Sequence, residues 1–247
     1  FQNDYTLLMS LHALQLTPQF HHRVWGGTQF TTTDQRIGEA WIVYENNLIV
    51  NGEYAGRTLG QLAASHAVDL LGARTLKRTG NRFPLLIKIL DCADWLSLQV
   101  HPNDEQAKRL EGDDQFGKTE AWHILRSENH AKLISGLKPN TTAESLANAI
   151  RNGPILDHVN YHQTNNGDTL LIRAGTIHAL GPGLLLYEVQ QTSDITYRVF
   201  DWNRPQANGR LLHIEKSLAV ANPVAIAESS PQPPLKDGEA KTVVKCE

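Results

Sequence analysis

The sequence predicts a mainly β protein, a sandwich or barrel with a few short helices. Short β-branched and aromatic runs recur between turn signals, no regular helix alternates with them, and no Gly-rich strand-to-helix turn offers a nucleotide-binding fold. The strand-like runs are 39–44, 47–50, 85–90, 96–101, 122–125, 169–173, 184–189 and 196–200. Four segments read as helices instead. Thr58 and Gln61 make a capping box for a helix over 58–71, in which Leu59, Leu62, Ala63 and Leu70 repeat at helical spacing. Thr141 with Glu144 opens a second helix through Ile150. Asn103 caps a short third helix, with Asp104 and Glu105 in its first turn, and 214–220 reads as a fourth.

A chain of 247 residues bounds the domain count between one and two, and an all-β fold of this length often forms one. Twenty-three basic against 26 acidic residues give a net charge of −3, so no global positive field holds nucleic acid or an acidic membrane surface. Only two cysteines, Cys92 and Cys246, are present, which excludes a disulfide framework and a four-cysteine zinc knot and fits a reducing, cytoplasmic compartment. No apolar run approaches the ~18 residues of a membrane span. The composition shifts to Ser and Pro from Glu228 to Lys241, which is linker chemistry, and 242–247 looks like the first strand of something further. The expected division is one domain over 1–225, then a linker and the start of a truncated C-terminal lobe over 226–247.

Gln99 and His101 lie two apart on a predicted strand, so both point to one face while Leu98 and Val100 point to the other. A polar outer face would produce the same alternation. Pro102 ends that strand, as at a barrel rim. Lys118-Thr119-Glu120 places a base and an acid around one small residue before the strand 121–125, and a surface ion pair is the alternative there. The segment Gly167 to His178 is a strand, a tight turn at Gly175 and a histidine. Its spacing resembles the second cupin motif, with Arg173 where that motif usually has proline.

In small barrels of that kind the glycines turn the chain and the histidine points inward to a metal. Gln99, His101, Glu120 and His178 together offer an amide oxygen, two imidazoles and a carboxylate, a set suited to a zinc-like divalent ion that keeps one position open for water or substrate. His12, His21, His22, His66, His123, His130, His158, His162 and His213 lack a comparable pattern and are assigned to surface or core hydrogen bonding. The segment 187–202 is dense in polar groups that a barrel avoids burying without partners. Arg198 within it could grip a phosphate or stabilise an oxyanion, or pair with Asp194 or Asp201 at a strand edge.

Taken together, these segments resemble the type I mannose-6-phosphate isomerases, the zinc-dependent phosphomannose isomerases of the cupin superfamily, in their short bacterial form. The likeness runs through Arg23-Val24-Trp25-Gly26-Gly27, Gly38-Glu39-Ala40-Trp41, 84–104, Gly117 to Trp122, Gly175 to Ala179 and 187–202. It implies a jelly-roll-like cupin barrel, one zinc ion per chain on Gln99, His101, Glu120 and His178, and interconversion of mannose 6-phosphate and fructose 6-phosphate through a cis-enediol. By the same resemblance Arg198 takes the place of the active-site arginine. Lys118 stands in the family's Lys-Pro-Glu motif, with Thr119 replacing proline, and Lys88 matches a substrate-binding lysine. Lys118, Glu188 and Asp194 are the candidates for ring opening and proton transfer, with Lys118 favoured because it adjoins a ligand. Two other classes are a cupin oxygenase using iron on His101, Glu120 and His178, and a sugar-phosphate-binding cupin without turnover.

Overall fold

A computed structural model describes residues 11–129, 131–205 and 210–230. In chain order the first strands are β1 (Gln19–Gly27), β2 (Ile37–Val43), β3 (Leu85–Cys92), β4 (Leu98–Val100), β5 (Glu120–Ser127) and β6 (Lys132–Leu137). There follow β7 (Val159–Gln163), β8 (Thr169–Ile172), β9 (His178–Leu180), β10 (Leu184–Gln191), β11 (Tyr197–Phe200) and β12 (Glu228–Ser230). The helices are α1 (Leu59–Ser65), α2 (Ala67–Thr79), α3 (Asp104–Glu111), α4 (Ala143–Asn152) and α5 (Ile214–Val220). The strands form two antiparallel sheets, seven-stranded in the order β1-β2-β3-β10-β5-β8-β12 and five-stranded in the order β11-β4-β9-β6-β7. This is the mainly β, cupin-like architecture expected from the alternating runs.

Register decides what the sandwich holds. Along β10 the inward residues are Leu184, Leu186, Glu188 and Gln190, paired across β3 with Cys92, Leu90, Lys88 and Leu86. On the other side of β10, Leu186 faces Ile124, Glu188 faces Trp122 and Gln190 faces Glu120. The interior therefore changes from apolar at one end to charged at the other within a few residues. The apolar end joins Trp25, Leu90, Cys92, Trp122, Ile124, Leu133, Leu180 and Leu186 across both sheets. A second core lies outside the smaller sheet, where Leu98, Val100, Ile134 and Val199 meet Leu146 and Ile150 of α4 and Val220 of α5. Burying side chains of this size contributes roughly 1.5–3 kcal/mol each, which anchors the strands that carry the polar end.

Local chemistry accounts for the departures from expectation. The Thr58 and Gln61 capping box forms, but the helix breaks at His66 (φ −129°, ψ 41°) and resumes as α2, itself interrupted at Gly72 (φ 73°). Residues 47–50 make only isolated bridges, Leu16 to Ile49 and Leu48 to Thr58. There the buried Asn47 amide donates to the Thr17 and Trp41 carbonyls and turns the chain instead of extending it. Thr142 rather than Thr141 caps α4, bonding the Ser145 N–H, because the Thr141 hydroxyl is spent on the Lys138 carbonyl. Residues 228–230, read as the start of a linker, pair with β8 as β12, and Glu228 meets Arg173 at 2.7 Å. The rest of that segment, including 242–247 and Cys246, lies outside the described residues. Among the described residues no helix is long and apolar enough to cross a membrane.

Candidate metal centre and active-site cavity

The polar end is assembled by short turns. Pro102 stops β4 just after His101, and the Pro102 carbonyl accepts the Lys118 N–H at 2.9 Å. Gly117 makes that approach feasible: a Cβ there would lie 2.4 Å from the Asn103 carbonyl carbon. Gly175, at φ +87°, turns the chain between β8 and β9 and donates its N–H to the His101 carbonyl at 2.8 Å. His178 then enters at the start of β9, opposite Gln99, while Glu120 opens β5.

His101, Glu120 and His178 are each about 1% exposed, with donor atoms all within 4.8 Å of one another. Glu120 Oε1 lies 3.2 Å from His178 Nε2 and Glu120 Oε2 lies 3.6 Å from His101 Nε2. Such separations are those of ligand pairs sharing one ion at ~2.1 Å. Each imidazole is oriented through its other nitrogen. His101 Nδ1 donates to the Ile195 carbonyl at 2.9 Å and His178 Nδ1 to the Thr176 carbonyl at 2.8 Å. A carbonyl only accepts, so the protons sit on Nδ1 and the Nε2 lone pairs face the centre. Burial and the nearby Lys118 ammonium hold His101 well below its ordinary pKa, in the neutral form a metal ligand requires. Burial opposes ionisation of Glu120, yet Lys118, His101 and His178 keep its carboxyl well below the usual range.

The donor set fits a divalent ion on a second ground. Both Glu120 carboxylate oxygens and His101 Nε2 are buried without a hydrogen-bond partner, a costly state that an ion relieves. Lys118 Nζ comes to 3.2 Å from Glu120 Oε2 as a charge neighbour, outside hydrogen-bond geometry. Gln99 sits beside this group with its amide nitrogen 3.2 Å from His178 Nε2 and its Oε1 accepting from Ser97 at 3.3 Å. A half-turn of the amide presents Oε1 to the centre. Gln99 and His101 thus face the interior, and the Lys118–Glu120 pair is buried.

Gln99 and Lys118 also line a cavity of about 860 Å³. Its wall carries a second charged group: Lys88 Nζ lies 3.0 Å from Glu188 and 3.9 Å from Glu39. Glu188 accepts from the Trp122 indole at 2.9 Å, and Glu39 from Arg23 at 3.1 and 3.2 Å and from the Trp41 indole at 2.6 Å. Burial pushes the Glu39 carboxyl up, but Lys88, Arg23 and these hydrogen bonds outweigh it and leave a pKa of about 2. Asp194 is exposed at the rim and Arg198 projects from β11.

Asp201 is held by Arg204 and Arg210, at 3.2 and 2.5 Å. His22 and His213, assigned from sequence to ordinary hydrogen bonding, line the cavity, and so do Arg23, Glu39, Arg204 and Arg210. The sequence signal for the first two of these four was the pair of segments Arg23 to Gly27 and Gly38 to Trp41. Neither Arg204 nor Arg210 had one.

The profile of the type I phosphomannose isomerase catalytic domain matches residues 13–131. The chain is 39% identical over 231 residues to mannose-6-phosphate isomerase ManA of Bacillus subtilis, covering 89% of this chain and 71% of that protein. It is 36% identical over 219 residues to the mannose-6-phosphate isomerase of Streptococcus mutans, covering 84% and 67%. The crystal structure of the Bacillus subtilis mannose 6-phosphate isomerase superposes with a TM-score of 0.78 at 33% identity, covering 87% of this chain and 70% of that one. These matches set aside the oxygenase and non-catalytic alternatives, and the chain belongs to the type I phosphomannose isomerase family.

Proposed function

We propose that this isomerase interconverts mannose 6-phosphate and fructose 6-phosphate through a cis-enediol, with a zinc-type divalent ion held by Gln99, His101, Glu120 and His178. The observation that carries the proposal is the buried carboxylate and imidazole whose lone pairs have no hydrogen-bond partner, set beside a cavity large enough for a sugar phosphate. When bound, the ion supplies Lewis-acid polarisation of the sugar oxygens. Proton transfer between the two adjacent carbons falls to the chain's own groups. Lys118 is the nearest of the three candidates to the donor set, at 3.2 Å from Glu120. Glu188 is engaged by Lys88 and the Trp122 indole, and Asp194 stands at the rim. That geometry favours Lys118 for moving the proton, Asp194 for ring opening and Lys88 with Glu188 for orienting the sugar hydroxyls. Arg198 balances developing negative charge.

Elemental analysis with a coupled assay for fructose 6-phosphate, before and after chelation, tests the metal centre. About one zinc per chain, with turnover lost on chelation and restored by zinc, is the expected result. Full turnover in metal-free protein would sink it. A pH–rate profile that stays flat between about pH 6 and 9 would count against Lys118.

A further inference from the structure

Building on the metal-centre reading above, we propose that Gln191 and Thr119, with Asp104, are positioning residues that hold the donor side chains in register from the outer side of the sheet. The ladder of β10 against β5 runs to Gln190, opposite Glu120. At the next residue the Gln191 N–H still donates to the Thr119 carbonyl at 3.2 Å. The return bond of a regular antiparallel pair is not made, because the Gln191 carbonyl has turned to accept the Ser193 N–H at 2.7 Å and the Gln190 amide at 3.0 Å. The Gln191 side chain takes its place: Oε1 accepts the Thr119 N–H at 2.8 Å. Strand pairing is thereby carried one residue past its backbone limit, to the residue between Lys118 and Glu120.

The same amide reaches a second segment. Gln191 Nε2 donates to Asp104 Oδ1 at 3.1 Å, and that oxygen also accepts the Gly117 N–H at 2.8 Å, just past His101 in the chain. The Thr119 hydroxyl accepts the Ala174 N–H at 3.3 Å, at the turn that leads to His178. Three short segments, 101–104, 117–120 and 174–178, each carry one donor of the candidate centre, and all three are tied at Gln191 and Thr119. Alternation along the strand keeps this clamp away from the sugar. Lys118 faces the cavity, Thr119 points to the other side, and none of Thr119, Gln191 and Asp104 lines the cavity. Because the Glu120 oxygens accept no hydrogen bond, the place of that carboxylate is set through the backbone that carries it, which the clamp fixes. Thr119, standing where the Lys-Pro-Glu motif has proline, gains a physical account as well. Proline has neither an N–H nor a hydroxyl, so threonine exchanges a ring-fixed backbone angle for two hydrogen bonds.

The test measures the zinc affinity of the full chain by competition with a chelating dye, beside kcat and KM for mannose 6-phosphate. Gln191→Leu removes both side-chain bonds and should lower zinc affinity and kcat by about 10- to 100-fold, the loss typical of residues that orient ligands, while KM stays within about threefold. Gln191→Glu keeps an acceptor for Thr119 but sets a carboxylate against Asp104, with a similar loss. Adding Asp104→Asn reverses donor and acceptor and should recover zinc affinity to within about threefold of the parent, a rescue that general destabilisation does not give. Zinc affinity and kcat of Gln191→Leu within about twofold of the parent overturn the assignment, as does a double variant no better than Gln191→Glu alone. If Gln191→Leu does not fold, as judged by its thermal midpoint, the donor–acceptor exchange decides by itself. A parent chain that turns over without binding zinc removes the metal reading instead, and the clamp is then judged by the same recovery in kcat.

Discussion

Two buried lysine–carboxylate groups sit at one sheet, Lys88 with Glu188 across β3 and β10 and Lys118 with Glu120 at the start of β5, and they are finished differently. Around Lys88, charge is matched to charge and two tryptophan indoles donate to the carboxylates, Trp122 to Glu188 and Trp41 to Glu39. Around Lys118, the Glu120 oxygens accept no hydrogen bond and two imidazole lone pairs converge on them. Glu188 Oε1 also lacks a hydrogen-bond partner, but the Lys88 ammonium lies 3.0 Å away and the other Glu188 oxygen accepts from Trp122, whereas neither Glu120 oxygen accepts a hydrogen bond, a costly state that a bound ion would relieve. The first group shapes a wall; the second has the donors of an open coordination shell and is the candidate metal centre.

Breaking the open shell should have the largest effect. Glu120→Gln removes the one carboxylate among the four donors, and metal occupancy and turnover are expected to fall together by more than ~100-fold, beyond the loss seen for outer-shell partners. Metal titration alongside the coupled assay checks this, and retained occupancy would separate Glu120 from the ion. The closed group should instead respond in stability. The Glu39 carboxyl titrates at about 2 in the fold against an ordinary 4.5. Its contribution, about 3 kcal/mol by linkage, is complete above the unfolded value and is lost as pH falls from about 4.5 toward 2. Urea midpoints for Glu39→Gln should therefore change less across that window than those of the parent. Equal acid sensitivity in both would mean that other carboxylates govern it. The smallest effect is expected for Trp122→Phe, which deletes the indole donor to Glu188 and should cost about 2 kcal/mol with metal content unchanged. Loss of metal in that variant would show that the two groups are coupled.

Much of the open shell could be read from the chain. Gln99 and His101 obey the two-residue strand period, the Gly175 turn leads to His178, and the caps at Thr58 and Asn103 form with the partners their spacing implies. Signals that depend on three or four neighbouring residues survive folding because the interactions that make them are local. The closed group and the arginines on Asp201 could not be found that way. Glu39 meets Lys88 across 49 positions because β2 pairs with β3, and no local pattern encodes that register. Spacing offered Asp201 to Arg198, but among the described residues its ion pairs are with Arg204, just past the turn after β11, and with Arg210. The short strands β6 and β9 escaped for a related reason. Gly136, at φ 74°, breaks the β6 pattern, and three residues of β9 are too few to show one.

Cys92, at the apolar end of the sandwich, carries a chemical consequence of its own. It is 2% exposed, and burial pushes its thiol well above the ordinary range. Peroxides, alkylating agents and mixed disulfides all react with the thiolate. By suppressing that form and closing off access, the same leucine-rich packing that holds β3 against β10 slows each of these reactions at Cys92 and shields the strand beneath the candidate metal centre.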